Sequence, residues 1–303
     1  MLFKAIKENN IEEVENLIKM NFNPNSLISD PNEPNEDKLY LPLQIACENY
    51  PKSIEIIQLL IKNGANINQC IDYEIGNNRI VRSYIFIEVL QTKINDENLF
   101  QLLNFFIKLG VDINSKKYLE VNTSTGTSRW TEINIKSAIH VIIENNKPDC
   151  LDILCENNSE LEECSYKKTV ELDIARDEYI NEELYTPLSL ACKIKSDEGY
   201  NLVKTLLKYG VKMNSKSKIQ RTGLIGIIVE INSSFNPIHL ALENNSLKSF
   251  ALLVNSGANF NEKAIKDNIS ETIYDIIQRL GIKLSYILSS FQEINKEINK
   301  PKF

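Results

Sequence analysis

One unit recurs along this chain, and its recurrence limits the fold more than any other feature. The cleanest copy is Phe235 to Asn261, FNPIHLALENNSLKSFALLVNSGANFN. Pro237 sits where a helix starts without losing a hydrogen bond, and Ile238, Leu240, Ala241 and Leu242 supply a buried side. After a polar break at Glu243 to Ser246, the residues Leu247, Phe250, Ala251, Leu252, Leu253 and Val254 give a second, antiparallel helix. Gly257 ends it, because a residue that tolerates positive φ fits that position. Two helices this short cannot cover their apolar faces alone, so they must stack on copies of themselves.

Pro237-Ile-His-Leu-Ala241 resembles the T-P-L-H-x-A signature of the ankyrin repeat, and Gly257-Ala-Asn259 resembles its closing turn. In that family the interval from the Pro to the Gly is about twenty residues, the separation of Pro237 from Gly257. Upstream copies fit with small allowances. Tyr185-Thr-Pro-Leu-Ser-Leu-Ala-Cys192 closes at Gly210, and Leu41-Pro-Leu-Gln-Ile-Ala-Cys47 closes at Gly64-Ala-Asn-Ile-Asn68. Ser137-Ala-Ile-His-Val-Ile142 closes at Asn158, with Asn replacing Gly at the left-handed position. Ile85 to Leu90, closing at Gly110-Val-Asp-Ile-Asn114, is the most degenerate because it lacks both the Pro and the small Ala. The resemblance implies a mostly α fold: one ankyrin-repeat solenoid of helix pairs over 1–303, with about five central repeats and two caps. The repeats fall at approximately 1–25 (N-terminal cap), 40–68, 84–114, 136–163, 185–214, 235–261 and 271–294 (C-terminal cap). A chain of 303 residues would otherwise suggest about two domains, a prior that a stack sharing one continuous core overrides.

The chain departs from its family between the repeats. An ordinary ankyrin repeat has about thirteen residues from the closing position to the next opening one, forming a β-hairpin finger. Here the intervals are 21 (Asn21 to Pro42), 22 (Gly64 to Phe86), 28 (Gly110 to Ala138), 29 (Asn158 to Pro187), 27 (Gly210 to Pro237) and 16 (Gly257 to Ile273). Inserts at 69–83, 115–135, 164–184 and 215–234 are rich in β-branched and aromatic residues and predict extended antiparallel hairpins along one edge. Their expected turns lie at Gly76-Asn77-Asn78, Gly126, Ala175 to Asp177, and Gly223 or Gly226. The insert at 25–38, with Pro31 and Pro34, reads as a polar loop. Beyond Leu284, Tyr286 to Phe291 should be a capping helix and Asn295 to Phe303 a frayed end.

Chemistry is hard to find. No Gly-rich phosphate loop, no G-x-S-x-G, no H-E-x-x-H and no paired C-x-x-C occurs. His140 and His239 share one repeat position, where the resemblance implies an imidazole bonded to the neighbouring hairpin backbone, and Gln44 and Ser189 fill that slot elsewhere. Cys47 and Cys192 follow the small Ala of a first helix and read as packing residues. Cys150 and Cys155, five apart on a helix, point in different directions, whereas Cys70 and Cys164 lie in finger regions. We therefore expect no catalytic residues, no metal and no cofactor. A net charge of −7 argues against a general nucleic-acid binder, and no run of eighteen apolar residues suggests a membrane span. The amphipathic start, with Glu8 already inside it, is unlike a secretory leader, so the expected location is cytoplasmic. Delivery into another cell by a specialised secretion machine leaves no mark in such a sequence.

The expectation is a non-enzymatic scaffold that binds a protein partner through long fingers and the concave helix face, with no small-molecule substrate. Candidate contacts are the finger aromatics and cations: Tyr73, Arg79, Arg82, Tyr84, Lys116, Lys117, Tyr118, Arg129, Trp130, Tyr166, Lys167, Lys168, Tyr179, Lys218 and Arg221. Trp130 is the single Trp; it either anchors a partner or covers its neighbouring hairpin. The inserts carry mixed charge: +1 over 115–135, +2 over 215–234 and −3 over 164–184. Two alternatives stay open: a bacterial effector or immunity-type protein that clamps one enzyme, and an enzyme that uses residues of the inserted hairpins.

Overall fold

Pro, Gly and Asn punctuate a helix-pair rhythm, and β-branched segments break it. A computed structural model describes residues 1–32, 39–75, 78–92, 94–125, 127–173, 177–224 and 228–299. The elements begin α1 (Leu2–Lys7), α2 (Ile11–Lys19), β1 (Ile28–Ser29), β2 (Leu39–Tyr40), α3 (Pro42–Glu48) and α4 (Ile54–Lys62). There follow β3 (Cys70–Ile75), β4 (Arg79–Tyr84), α5 (Ile85–Leu90), α6 (Asp96–Lys108), β5 (Lys116–Ser124), β6 (Ser128–Ser137), α7 (Ala138–Glu144) and α8 (Pro148–Glu156). Next come β7 (Ser165–Asp173), β8 (Glu178–Tyr185), α9 (Pro187–Cys192), a 3-10 turn at Ser196–Gly199, α10 (Tyr200–Lys208), β9 (Ser217–Leu224) and β10 (Ile228–Phe235). The chain ends with α11 (Pro237–Glu243), α12 (Leu247–Asn255), β11 (Ala264–Lys266), β12 (Ile269–Glu271), α13 (Ile273–Leu280) and α14 (Leu284–Ile298).

The expectation of a mostly α solenoid is wrong. Helix makes up 44% of the structure and strand 25%, and β3 to β12 belong to one ten-stranded antiparallel sheet. The cause is backbone hydrogen bonding. A long strand pair standing alone exposes a row of unpaired N–H and C=O groups on each edge. Here those edges are used: Arg79 of β4 stands opposite Val121 of β5, Glu178 of β8 opposite Leu224 of β9, and Ser234 of β10 opposite Ile265 of β11. Separate fingers thus become parts of one sheet.

Local details differ as well. Gly223, expected in a turn, is inside β9, opposite Val229 and Tyr179. Gly76, Asn77, Gly126, Ala175 and Gly226 lie outside the described residues, as do Pro34 and the chain after Asn299. The presumed polar loop is flanked by the short pair β1–β2, and β11–β12 fills the one junction that was not lengthened. The expected fraying from Asn295 is absent up to Ile298, because Ile294 is buried and holds α14 in place.

The chain divides into two units, Met1–Asn122 with Asn134–Val141, and Thr123–Ile133 with Ile142–Phe303. In the first, α1 packs on α2 and α3, and α3 also meets α4 and α5. Leu43, Ile45, Ile57, Leu60, Phe86 and Phe106 are fully buried. Each such side chain contributes roughly 1.5–3 kcal/mol on removal from water. Asn10 and Asn95 accept hydrogen bonds from Glu13 N and Asn98 N and so cap α2 and α6. In the second unit α11 meets α9, α12 and α13, and α12 packs on α14. Thr186 and Thr272 cap α9 and α13, and the Arg279 guanidinium bridges Glu243 and Glu271.

Six helix pairs close in one way. Asn21, Gly64, Gly110, Asn158, Gly210 and Gly257 all adopt positive φ, between 65° and 94°. Side chains then tie neighbouring closing turns together. In the first unit, Asn25 donates to Gly64 O (2.8 Å) and accepts from Asn66 N (2.7 Å), and Asn68 repeats this with Gly110 O (3.2 Å) and Asp112 N (2.8 Å). In the second unit, the Glu162 carboxylate accepts from Lys212 N (2.6 Å), and Asn214 accepts from Asn259 N (3.1 Å).

Candidate functional site

Side chains alternate between the two faces of a strand, so register decides which finger residues meet. In the second unit Thr169, Asn181, Arg221 and Ile231 form one row across β7, β8, β9 and β10. Two positions nearer the turns, Glu171, Tyr179, Gly223 and Val229 form the next row on the same face. β6 is hydrogen-bonded beside β7 in the sheet, where Glu132 pairs with Lys167 at 3.2 Å, and this places Trp130 against the Thr169–Glu171 stretch.

These residues line an open groove of about 460 Å³, to which Ile180 and Thr222 also contribute. Its lining is mainly apolar. Trp130 is 42% exposed, Tyr179 40% and Val229 51%, which leaves large apolar surface in water at one place. Gly223 keeps the floor low: a Cβ there would stand 3.7 Å from the Tyr179 ring. Arg221, at the edge, donates from Nη1 to Asp267 Oδ1 at 3.4 Å. Glu171 has no hydrogen-bond or ion-pair partner among the described residues.

The structure thus brings three of the fifteen sequence-nominated residues, Trp130, Tyr179 and Arg221, into one groove, with Lys167 beside it through Glu132. Tyr166 and Lys168 both bond Glu182, at 3.0 Å each. Burial and that hydrogen bond push the Tyr166 phenol up to about 12. Lys168, followed by Tyr166, holds the Glu182 carboxyl below its ordinary value against the opposing effect of burial. Lys218 and Arg129 are exposed.

In the first unit, Lys117 is engaged by Glu88 (2.8 Å) and Gln91 (2.7 Å), and Arg82 lies 5.9 Å over the Tyr118 ring and 3.4 Å from Asp72. Tyr118 donates to Glu120, which raises the phenol and lowers the carboxyl. Tyr73 and Tyr84 are half-buried in β3 and β4, and Arg79 and Lys116 are exposed. Sequence reasoning missed Thr169, Glu171, Asn181, Val229 and Ile231. The signal was their shared parity across four strands, legible only once register is known.

The shared histidine position is structural in form. His239 Nδ1 accepts from Asn236 N at 3.2 Å while Nε2 meets Glu262 O at 2.9 Å, and burial lowers its pKa. Gln44 makes the first of these bonds in its own repeat, accepting from Leu41 N at 3.4 Å. His140 Nδ1 lies 2.8 Å from Ser137 Oγ. Burial raises the Cys47 and Cys192 thiols, and pushes Cys155 up to about 12.

Residues 39–72 match the family model of the ankyrin repeat. The match covers β2, α3, α4 and the start of β3, so the chain has ankyrin-repeat character there. Ankyrin repeats are in general protein-interaction modules without catalytic activity. No curated protein matches the chain. Among the described residues, no helix is long and apolar enough to cross a membrane.

Proposed function

We propose that this chain is a non-enzymatic binding protein and that its β7–β10 groove holds an extended segment of a protein partner. The ankyrin match supports protein binding in general terms. The observation that carries the finer reading is the cluster of exposed Trp130, Tyr179 and Val229 around one groove on a hydrogen-bonded sheet. Aromatic side chains on a hydrogen-bonded framework lose little freedom on binding, so the area they bury is converted efficiently into affinity.

The test is selection of dodecapeptides on the immobilised full chain, followed by titration of the selected peptides against two variants. Trp130→Ala should weaken them about 30-fold, the loss that accompanies a hot spot of about 2 kcal/mol. More than half of Trp130 is covered, so this variant also lowers stability somewhat. Val229→Lys, at a site 51% exposed, places a charge on the groove wall and should weaken the same peptides with circular dichroism unchanged. Selected peptides that bind both variants like the wild type would refute the groove as the binding site.

A further inference from the structure

The charges around the groove are not balanced, and the imbalance specifies the occupant. Arg221 is engaged by Asp267 and Lys167 by Glu132. Glu171 is left with no partner among the described residues, on the row that also holds Tyr179. Its strand pair, 164–184, carries six acids against three cations. A neutral apolar segment seated here would strip water from the Glu171 carboxylate and return nothing, and an acidic one would add repulsion.

We infer that the groove receives a lysine or arginine side chain, flanked by apolar residues, from an extended segment of the partner. The aliphatic stem lies over Gly223 against Val229, and the cationic head lies among the Trp130 and Tyr179 rings with Glu171 as counter-charge. This rests on the reading of the groove as a protein-binding site and adds the chemistry of what is bound.

The experiment uses three fluorescein-labelled, capped peptides of equal length: alternating Leu-Lys, alternating Leu-Gln and alternating Leu-Glu. Each is titrated by anisotropy against the full chain at about 0.1 M salt, where distant charges are screened. The Leu-Lys peptide should bind roughly tenfold tighter than Leu-Gln, and Leu-Glu weakest of all. Glu171→Gln should weaken Leu-Lys roughly three- to tenfold. Glu55→Gln, which removes the same charge from an exposed site on α4, should leave its affinity unchanged. Equal sensitivity to the two variants would mean diffuse attraction to a negative chain and would overturn the inference. Equal affinity for Leu-Lys and Leu-Gln, both lost in Trp130→Ala, would overturn the cationic occupant but leave the protein-binding groove standing. Binding of no probe, or of probes indifferent to Trp130→Ala, would overturn both.

Discussion

Gly223 separates what the sheet needs from what the groove needs. A strand-interior glycine is costly, since it loses more backbone freedom on folding than any other residue and brings no side chain to pack. Gly223 is not among the residues at positive φ, so its backbone does not require glycine. A Cβ added there would meet Tyr179 Cδ1 at 3.7 Å and Cε1 at 3.8 Å, which is ordinary van der Waals contact. Gly223→Ala should therefore stabilise β8–β9 locally by about 0.4–1 kcal/mol, mainly by restricting the unfolded chain. Opening of the strands would then be about two- to fivefold rarer, read as slower amide exchange across the β8–β9 ladder. Gly223→Val should keep the gain and fill the groove floor, so that peptides selected on the wild type lose affinity while the strands become harder to open. Faster exchange in Gly223→Ala would refute the reasoning, because it would mean that Tyr179 cannot tolerate the methyl. Slower exchange in Gly223→Val with peptide affinity unchanged would remove the floor from the site.

Two further outcomes concern the framework. Gly257 stands at φ 94° with nothing within 4 Å of an added Cβ, so Gly257→Ala should cost about 1–2 kcal/mol through the backbone alone. Gly257→Asn should cost less, since Asn21 and Asn158 hold the equivalent conformation; equal urea midpoints for the two variants would contradict this. For His239, burial depresses the folded-state pKa, so the unfolded chain takes up the proton first as pH falls below about 6.5. Stability should fall as pH drops from 7.5 towards 5.5, by at most about 1.4 kcal/mol per pH unit from this group, and His239→Gln should flatten that slope. An unchanged slope would show that other groups set it.

Helix ends were legible because Gly and Asn carry a conformational signal in a single residue, and every nominated closing position from Asn21 to Gly257 turns left-handed. Strand pairs were legible because β-branched runs are local too. The joining of those pairs was not, since nothing in Arg79 or Glu178 announces a partner beyond its own hairpin. Gly223 looked like a turn because glycine in a strand is the exception. The groove stayed hidden for a related reason. Aromatics and cations stand out in a sequence, whereas Glu171 enters only as a unit of charge and Val229 as a β-former, and their meeting depends on a register spanning four strands.

Asn25, Asn68, Glu162 and Asn214 each fasten a turn to the turn of the adjoining repeat, far along the chain but close to the helix ends. Within each unit the pitch of the helices is thereby gauged at the turns as well as along the strand ladders, and neither depends on which side chains the strands present on their faces. The decoration of those faces is consequently free to drift, so this architecture can acquire new specificities by editing its margins while the measured interior stays untouched.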